Sequence, residues 1–332
     1  MNAPTITRRY PLRAFVAGAR WLANPVSEGG AKQVPRIQLY TTGPEMLAEV
    51  QQMRAHPTGR RILADRPDLA ATLSTSSALA SHPPGSLGRA LHDAMSVPGG
   101  IPGYMLAGLI YRDGFFDSYD MPDDVRYAIE RTRCLHDLFH VLTGYGTDLA
   151  GEGMLIYFQN AYRQAIGFTR AAISAQGLGP LLFLRPRVGQ QRWRTLLREA
   201  YARGTAARER LSPMFVYWEE LLPRPLDDVR EELGITPFDE DTSDWLANTW
   251  LGRSAAKGFG AYAREAERAQ LARRIVEAGV DFRGLMRASP ERQAGLRRLV
   301  AEGADDAAIQ AAAEGLCGDA PARRALPAGN GM

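Results

Sequence analysis

Apolar residues recur along this chain at the spacing of amphipathic helices, and the strict alternation typical of strands is scarce. Glycine and proline divide the chain into separate segments of this kind. The pattern predicts an all-α fold, with a multi-helix bundle-like domain followed by a helical C-terminal extension. We place the main domain at residues 1–240, the extension at 241–317 and a disordered tail, rich in Ala, Pro, Gly and Arg, at 318–332.

The first predicted helix opens at Pro11 and closes before Pro25. Its apolar positions share one face, while Arg13 and Arg20 lie elsewhere on the helix. These apolar positions are Leu12, Phe15, Val16, Ala19 and Leu22. Two interpretations remain open: an amphipathic helix that packs on the protein, or one that lies on a membrane surface.

Further helices are predicted wherever a breaker-free segment keeps this spacing. Gly43-Pro44 starts a helix that ends at His56-Pro57, and residues 122–144 form one continuous helix. A helix from 152 to about 175 has a broad apolar face between Met154 and Phe168, which must be buried against protein or lipid. The remaining predicted helices cover residues 87–95, 191–208 (weakened at Gly204), 215–222, 226–233 and about 260–303, with a weak helix near Ala307.

Composition narrows the class of protein. The chain of 332 residues is 45% hydrophobic and 23% charged, as expected for a folded globular protein, and its net charge of +3 gives no reason to expect a nucleic-acid partner. The two cysteines, Cys134 and Cys317, are too few for a disulfide framework. The longest charge-free apolar stretch, residues 94–111, is broken by prolines and glycines, so we expect no bilayer-spanning helix.

Potential metal ligands cluster in one part of the sequence. His136, Asp137 and His140 share one sector of a helix, because successive residues are about 100° apart. The loop 143–148 then reverses the chain and brings Glu152 to the same end. Two imidazoles and two carboxylates suit a divalent zinc, iron, manganese or cobalt ion. The alternative is a solvated, hydrogen-bonded cluster without a metal.

The same residues carry a resemblance to a known family. His136-Asp137-Leu138-Phe139-His140, followed by eleven residues and Glu152, resembles the signature His-Asp-x-x-His-x11-Glu of the Coq-four family of ubiquinone biosynthesis proteins. Weaker similarity is carried by the segments 84–89, 141–148, 218–219 and 224–235. The resemblance spans roughly residues 10–240, and the C-terminal extension has no counterpart.

The resemblance implies an all-α protein that lies peripherally on a membrane and binds a divalent metal and a polyprenylated benzoate lipid. Its implied reaction is oxidative decarboxylation of a polyprenylated hydroxybenzoate, in which a hydroxyl replaces the carboxylate at ring carbon 1. Other ubiquinone biosynthesis proteins and the membrane surface are its expected partners, and the cytoplasmic face of the inner membrane its expected location. The apolar face of residues 154–168 would contact the prenyl tail.

Two further residues are candidates for contact with the substrate. Arg133 lies one helical turn before His136 and could pair with a carboxylate, or with a neighbouring acid. Tyr145, in the motif loop, could contact the ring or simply pack in the core.

The sequence leaves other functions open. A non-catalytic organiser would hold the lipid and the other ubiquinone enzymes together. A phosphohydrolase with an adjacent His-Asp pair would need more ligands from distant helices, and His92-Asp93 is the one other such pair in the sequence. The metal identity and the oligomeric state, including a homodimer, also remain open.

Overall fold

The computed structural model describes residues 4–23, 33–74, 76–95, 118–162, 182–253, 271–314 and 316. Within these ranges the chain is helical, without any strand, and its only β-type contacts are the isolated bridges Thr5–Asp120 and Ser86–Pro225. The all-α prediction is therefore confirmed. Among the described helices, none combines the length and hydrophobicity needed to cross a bilayer.

Fifteen α-helices of the described part are numbered here in chain order. They are α1 (Pro11–Ala23), α2 (Gln33–Ala55), α3 (Pro57–Asp65), α4 (Leu69–Ser74), α5 (Ser76–Ala80), α6 (Leu87–Met95), α7 (Asp123–Arg133), α8 (His136–Thr143), α9 (Leu149–Tyr162), α10 (Gln190–Arg210), α11 (Trp218–Leu221), α12 (Leu226–Leu233), α13 (Phe282–Arg287), α14 (Pro290–Ala301) and α15 (Asp306–Ala313). A 3₁₀ turn covers Pro213–Phe215, and residues 250–253 and 271–277 are also helical.

The predicted start of the second helix at Gly43-Pro44 is wrong. Helix α2 begins ten residues earlier, at Gln33, and runs through Pro44. Proline has no N–H to donate to the carbonyl of Tyr40, and that carbonyl instead accepts the backbone N–H of Tyr10 at 2.8 Å. Gly43 leaves room for this contact, since a Cβ there would lie 2.7 Å from the carbonyl oxygen of Ile6. The N-terminal segment thus satisfies the carbonyl group that Pro44 leaves without a helical hydrogen bond.

The predicted continuous helix over 122–144 is also wrong. It is divided into α7 and α8 by a turn at Cys134 and Leu135, whose N–H groups bond three residues back, to Arg131 and Thr132. Helices α7 and α8 pack in two different apolar clusters. Ile129 of α7 belongs to a smaller apolar cluster with α2 and α3, whereas α8 belongs to the large cluster that runs through the rest of the chain. Turning the chain lets each half bury its own apolar face.

Helix α9 packs tightly along α10. A Cβ on Gly204 would lie 2.3 Å from the carbonyl oxygen of Phe158, so this glycine permits close approach of the two helices, and α10 continues through it. Phe158 and Tyr162 also contact Phe139 of α8. The described half of the broad apolar face therefore packs on protein, and the half from residue 163 onward lies outside the described residues.

Two sequence segments that carry the weaker family resemblance meet in space. The N–H groups of Leu87 and Gly88 donate to the carbonyls of Arg224 and Leu222 at 2.9 and 2.7 Å. In return, the N–H of Leu226 donates to the carbonyl of Gly85 at 2.9 Å. These bonds tie the start of α6 to the start of α12.

The C-terminal extension contacts the main domain. The N–H of Arg187 donates to the carbonyl of Trp245 at 2.8 Å, and Trp245 packs on Phe238. Further along, Ile275, Leu285 and Ile309 are buried in the large apolar cluster. The domain boundary at 240 stays a prediction, and Cys317 with the tail 318–332 lies outside the described residues.

Candidate metal centre

Helix α8 carries the two histidines of the motif and ends abruptly. Gly144 closes it in the left-handed region (φ 71°), where a side chain would be strained and a Cβ would meet the carbonyl oxygen of Phe238 at 2.2 Å. The N–H of Phe238 donates to the carbonyl of Thr143 at 2.7 Å. The end of the helix is thereby fixed against the chain that follows α12.

The loop after α8 builds the start of α9. The Asp148 carboxylate accepts the N–H groups of Ala150 and Gly151 at 2.9 and 3.2 Å, so it caps the helix. The Thr242 hydroxyl donates to the same carboxylate at 2.5 Å. Glu152 follows one turn later, and its N–H donates to the carbonyl of Asp148 at 2.8 Å. This arrangement sets the direction from which Glu152 reaches α8.

His136, His140 and Glu152 converge on one point. One potential ligand atom from each lies within 4.8 Å of the others. The Nε2 atoms of the histidines are 3.2 Å apart, and each is 3.3 Å from a different oxygen of Glu152. The imidazole planes are nearly perpendicular, at 89°. The carboxylate therefore bridges two imidazoles in the manner of a three-ligand metal site.

Outer contacts orient both rings. His140 Nδ1 donates to the carbonyl of Tyr145 at 2.9 Å, because a carbonyl can only accept. Its Nε2 then holds a lone pair directed at the cluster when the ring is neutral. His136 Nδ1 lies 3.2 Å from the side-chain amide of Gln159 on α9. Orienting contacts of this kind are typical of histidines that bind metals.

Gln159 is a functional residue that the sequence interpretation missed. The signal was nevertheless present, because Gln159 follows Glu152 by seven residues, and seven residues are two helical turns. The two side chains therefore reach His136 from the same face of α9.

The pKa values of His136 and Glu152 are shifted so that both side chains favour their charged forms. Burial by itself lowers the pKa of His136, but the charge of Glu152 and its hydrogen bond, with help from Asp137 and Gln159, raise that pKa to about 9. Burial raises the pKa of Glu152. The two imidazoles lower this pKa by a larger amount, so the net shift is downward. A positive charge is thus strongly favoured where the three side chains meet.

The chemistry of the donor set fits a divalent ion. A cation can replace the proton that His136 otherwise needs, and it would be held by two nitrogens and one or two carboxylate oxygens. With Gln159 turned so that its oxygen accepts from His136 Nδ1, both Nε2 atoms become ligands. His136, His140 and Glu152 could therefore hold the ion.

Comparison with known proteins identifies the family. Residues 31–103 and 116–239, more than half of the chain, match the family described as "Coenzyme Q (ubiquinone) biosynthesis protein Coq4". The chain belongs to this Coq4 family. The matched ranges include every residue of the three-ligand cluster as well as Gln159.

Several relatives are named after the same pathway. The chain is 31% identical over 191 residues to the mitochondrial ubiquinone biosynthesis protein COQ4 of Ajellomyces dermatitidis, covering 55% of this chain and 58% of that protein. With the Neurospora crassa protein it shares 31% over 188 residues, covering 56% and 48%. The chain thus spans about half the length of these relatives.

A solved structure from Nostoc punctiforme, described as a "putative ubiquinone biosynthesis protein", is also similar. It has 19% sequence identity and a TM-score of 0.47, covering 68% of this chain and 98% of the solved chain.

The other candidate residues of this Coq4-family chain have different surroundings. Asp137 is not part of the group within 4.8 Å, but its charge raises the pKa of His136. Its role as a direct ligand stays a prediction. Arg133 ends α7, and its side chain lies outside the described residues.

Tyr145 is buried and packs on Phe238, so the described contact with the cluster comes from its backbone carbonyl and not from its ring. His92 pairs with Asp93, which also binds Arg89. This second His-Asp pair is not part of the described group that could hold a metal ion.

Proposed function

We propose that this chain binds one divalent metal through His136, His140 and Glu152 and acts with it on a polyprenylated hydroxybenzoate in ubiquinone biosynthesis. The observation that carries the proposal is the convergence of two imidazole Nε2 atoms and one carboxylate within 4.8 Å, on the family motif. Zinc, iron, manganese and cobalt all suit this donor set.

The proposed reaction is an oxidative decarboxylation. The bond between ring carbon 1 and the carboxyl carbon breaks and carbon dioxide leaves. Water supplies the oxygen of the new hydroxyl: one of its O–H bonds breaks as the carbon–oxygen bond forms at the same ring carbon. Two electrons and two protons pass to dioxygen, the proposed oxidant, which leaves as hydrogen peroxide. The bound ion would supply Lewis-acid polarisation and orientation of the substrate oxygens.

The residues of the chain have separate tasks in this proposal. His140 and His136 present their Nε2 atoms, and Glu152 balances the charge. Tyr145 and Gln159 keep the rings in place through the contacts described above. Arg133 is the candidate partner for the substrate carboxylate.

The prenyl tail needs a site other than the described part of α9. Phe158 and Ala161 pack on α8 and α10, so these side chains support the protein core and are not available to a lipid. The rest of the predicted tail-binding face, from residue 163 onward, lies outside the described residues. Other ubiquinone biosynthesis proteins are the expected protein partners, and we place the chain at the cytoplasmic face of an inner membrane.

The test measures metal and turnover on the same purified protein. Elemental analysis should give one divalent ion per chain, and a polyprenylated hydroxybenzoate carrying a labelled carboxyl group should release labelled carbon dioxide under oxygen. His140→Ala should lose both signals. If metal binds but the purified protein never turns over the substrate, while still retaining the lipid, the chain is an organiser and the catalytic part of the proposal is wrong.

A further inference from the structure

Helix α1 exposes its apolar residues to the solvent. The side chains of Leu12 and Phe15 are 75% and 74% exposed, and that of Val16 is 43% exposed. At about 100° per residue these three lie within a sector of about 100°. Large apolar side chains grouped in this way on a surface indicate a site of interaction.

The opposite face of α1 holds the helix on the protein. Ala14 and Ala17 are buried at 2% and 3% exposure, and they lie about 200° and 140° around the helix from Leu12. The helix packs along α2, and the N–H of Ala14 donates to the carbonyl of Tyr10, just before the helix. Small residues thus form the packing face, while the large apolar residues are left outside.

The segment that contains the exposed apolar face carries charge of one sign. Residues 4–23 contain four arginines and no acidic residue. Arg8 and Arg20 are exposed, whereas Arg9 pairs with Glu45 and Arg13 lies over the ring of Tyr10. On a helical projection Arg13 and Arg20 border the apolar sector on one side. Arginine beside exposed leucine and phenylalanine is the pattern of helices that lie in an anionic membrane interface.

We infer that the exposed apolar residues Leu12, Phe15 and Val16 of α1 dock the protein on a membrane surface rich in anionic lipid, assisted by Arg20 on the helix and Arg8 in the segment before it. A second copy of the chain fits this face less well, because a symmetric contact would bring the arginines of both copies together. The inference rests on the proposed function only in that a membrane-bound lipid is the substrate. Docking through α1 would hold the protein at the bilayer that contains this lipid.

The test is sedimentation of the full chain with vesicles. One set of vesicles is phosphatidylcholine alone, and the other contains roughly a third phosphatidylglycerol. Wild-type protein should partition onto the anionic vesicles, and less so at high salt. The double variant Leu12→Ser/Phe15→Ser should lower the partition coefficient by about ten-fold or more, because the apolar contacts are lost.

A second variant removes the charges and keeps the apolar residues. Arg8→Ala/Arg20→Ala should lower binding to anionic vesicles by about five-fold for each arginine and leave binding to neutral vesicles unchanged. Phe183→Ser is the matched control, because Phe183 is an equally exposed aromatic residue, at 71%, outside this helix. Its vesicle binding should equal that of the wild type.

Two results would overturn the inference. One is equal vesicle binding by the wild type and by both α1 variants. The other is a wild-type dimer in vesicle-free solution that Leu12→Ser/Phe15→Ser converts to a monomer, which would make the face an interface between copies. Metal content is measured on the same samples and should be unchanged. Failure of the metal centre is thereby distinguished from failure of docking.

Discussion

Residues 131–140 contribute to two ionic groups of different kinds. We call the first group closed, because its donors and acceptors pair fully with each other, and the second group open, because they do not. In the closed group, Arg131 at the end of α7 forms two hydrogen bonds with Glu219, at 2.6 and 2.7 Å. In the open group, His136 and His140 of α8 meet Glu152 at 3.3 Å. Both lie beside apolar side chains. They differ in whether the hydrogen-bond donors and acceptors are matched in number.

The difference shows why only one of the two groups is a candidate binding site. The guanidinium and carboxylate of the closed pair match in charge and in geometry, so neither group needs an outside partner. The open group directs two imidazole nitrogens and two carboxylate oxygens at one point, and His140 has already used its Nδ1 proton on Tyr145. Acceptors outnumber protons there, and a cation corrects the imbalance.

Breaking the closed pair should have the largest effect, on folding alone. Arg131→Met removes the buried partner of Glu219, whose own side chain is only 16% exposed, so we expect a loss of about 3–5 kcal/mol in the free energy of unfolding, measured by denaturant titration. Arg54→Met is the control, since Arg54 pairs with Asp124 near the surface and its loss should cost less than about 1 kcal/mol. Metal bound per folded chain should stay the same. Lost metal in folded Arg131→Met would mean that the two groups are coupled.

Breaking the open group should remove the metal and spare the fold. Structural ions held by four ligands bind with roughly 10–16 kcal/mol, so one missing donor costs about 3–4 kcal/mol, or a hundred-fold or more in affinity. His140→Ala should therefore lose the ion on gel filtration, as measured by elemental analysis. His56→Ala controls for loss of an imidazole, since His56 stacks on Phe215 elsewhere in the molecule. Retention of a full complement of metal by His140→Ala would refute the site.

The sequence predicts the bounds of several helices well, but it does not predict the break between α7 and α8. Helical spacing identifies α1, α6 and α12 within two residues of their bounds, because breakers or cap residues flank them. It joins α7 to α8, because nothing local breaks the helix at Cys134. The turn there comes from the tertiary requirement that each half bury its apolar face in a different cluster.

The site was predictable to the extent that it is local. His136 and His140 are one turn apart, and spacing alone brings them together. The capping contact from Thr242 to Asp148 spans 94 residues, and no local pattern indicates it. The contact at Pro44 is also non-local. The carbonyl that this proline leaves unpaired in α2 accepts the N–H of Tyr10, which is far away in sequence.

A finer test within the open group concerns the orientation of His136. Gln159→Leu keeps all three ligands but removes the partner of His136 Nδ1, so we expect metal affinity to fall by about 10–100-fold, measured by competition with a chromophoric chelator. Gln159→Glu should retain most of the affinity, because a carboxylate also accepts from Nδ1. Asn160→Leu is the neighbouring control. Equal affinity in Gln159→Leu and Asn160→Leu would show that the amide does not orient the ring.

The smallest effect is expected for Thr242→Val, which tests whether the C-terminal extension helps to position the open group. Thr242 donates to Asp148, and Asp148 caps the helix that carries Glu152. Thr242→Val keeps the shape of the side chain and removes the hydroxyl, which leaves the cap weaker by about 1 kcal/mol in unfolding free energy. Metal affinity should fall only a few-fold, because Asp148 still accepts the N–H groups of α9. Ser243→Ala, one residue along, should change neither quantity. If Thr242→Val instead lost metal as completely as His140→Ala, the extension would be a working part of the metal centre and the boundary at 240 would have to be abandoned.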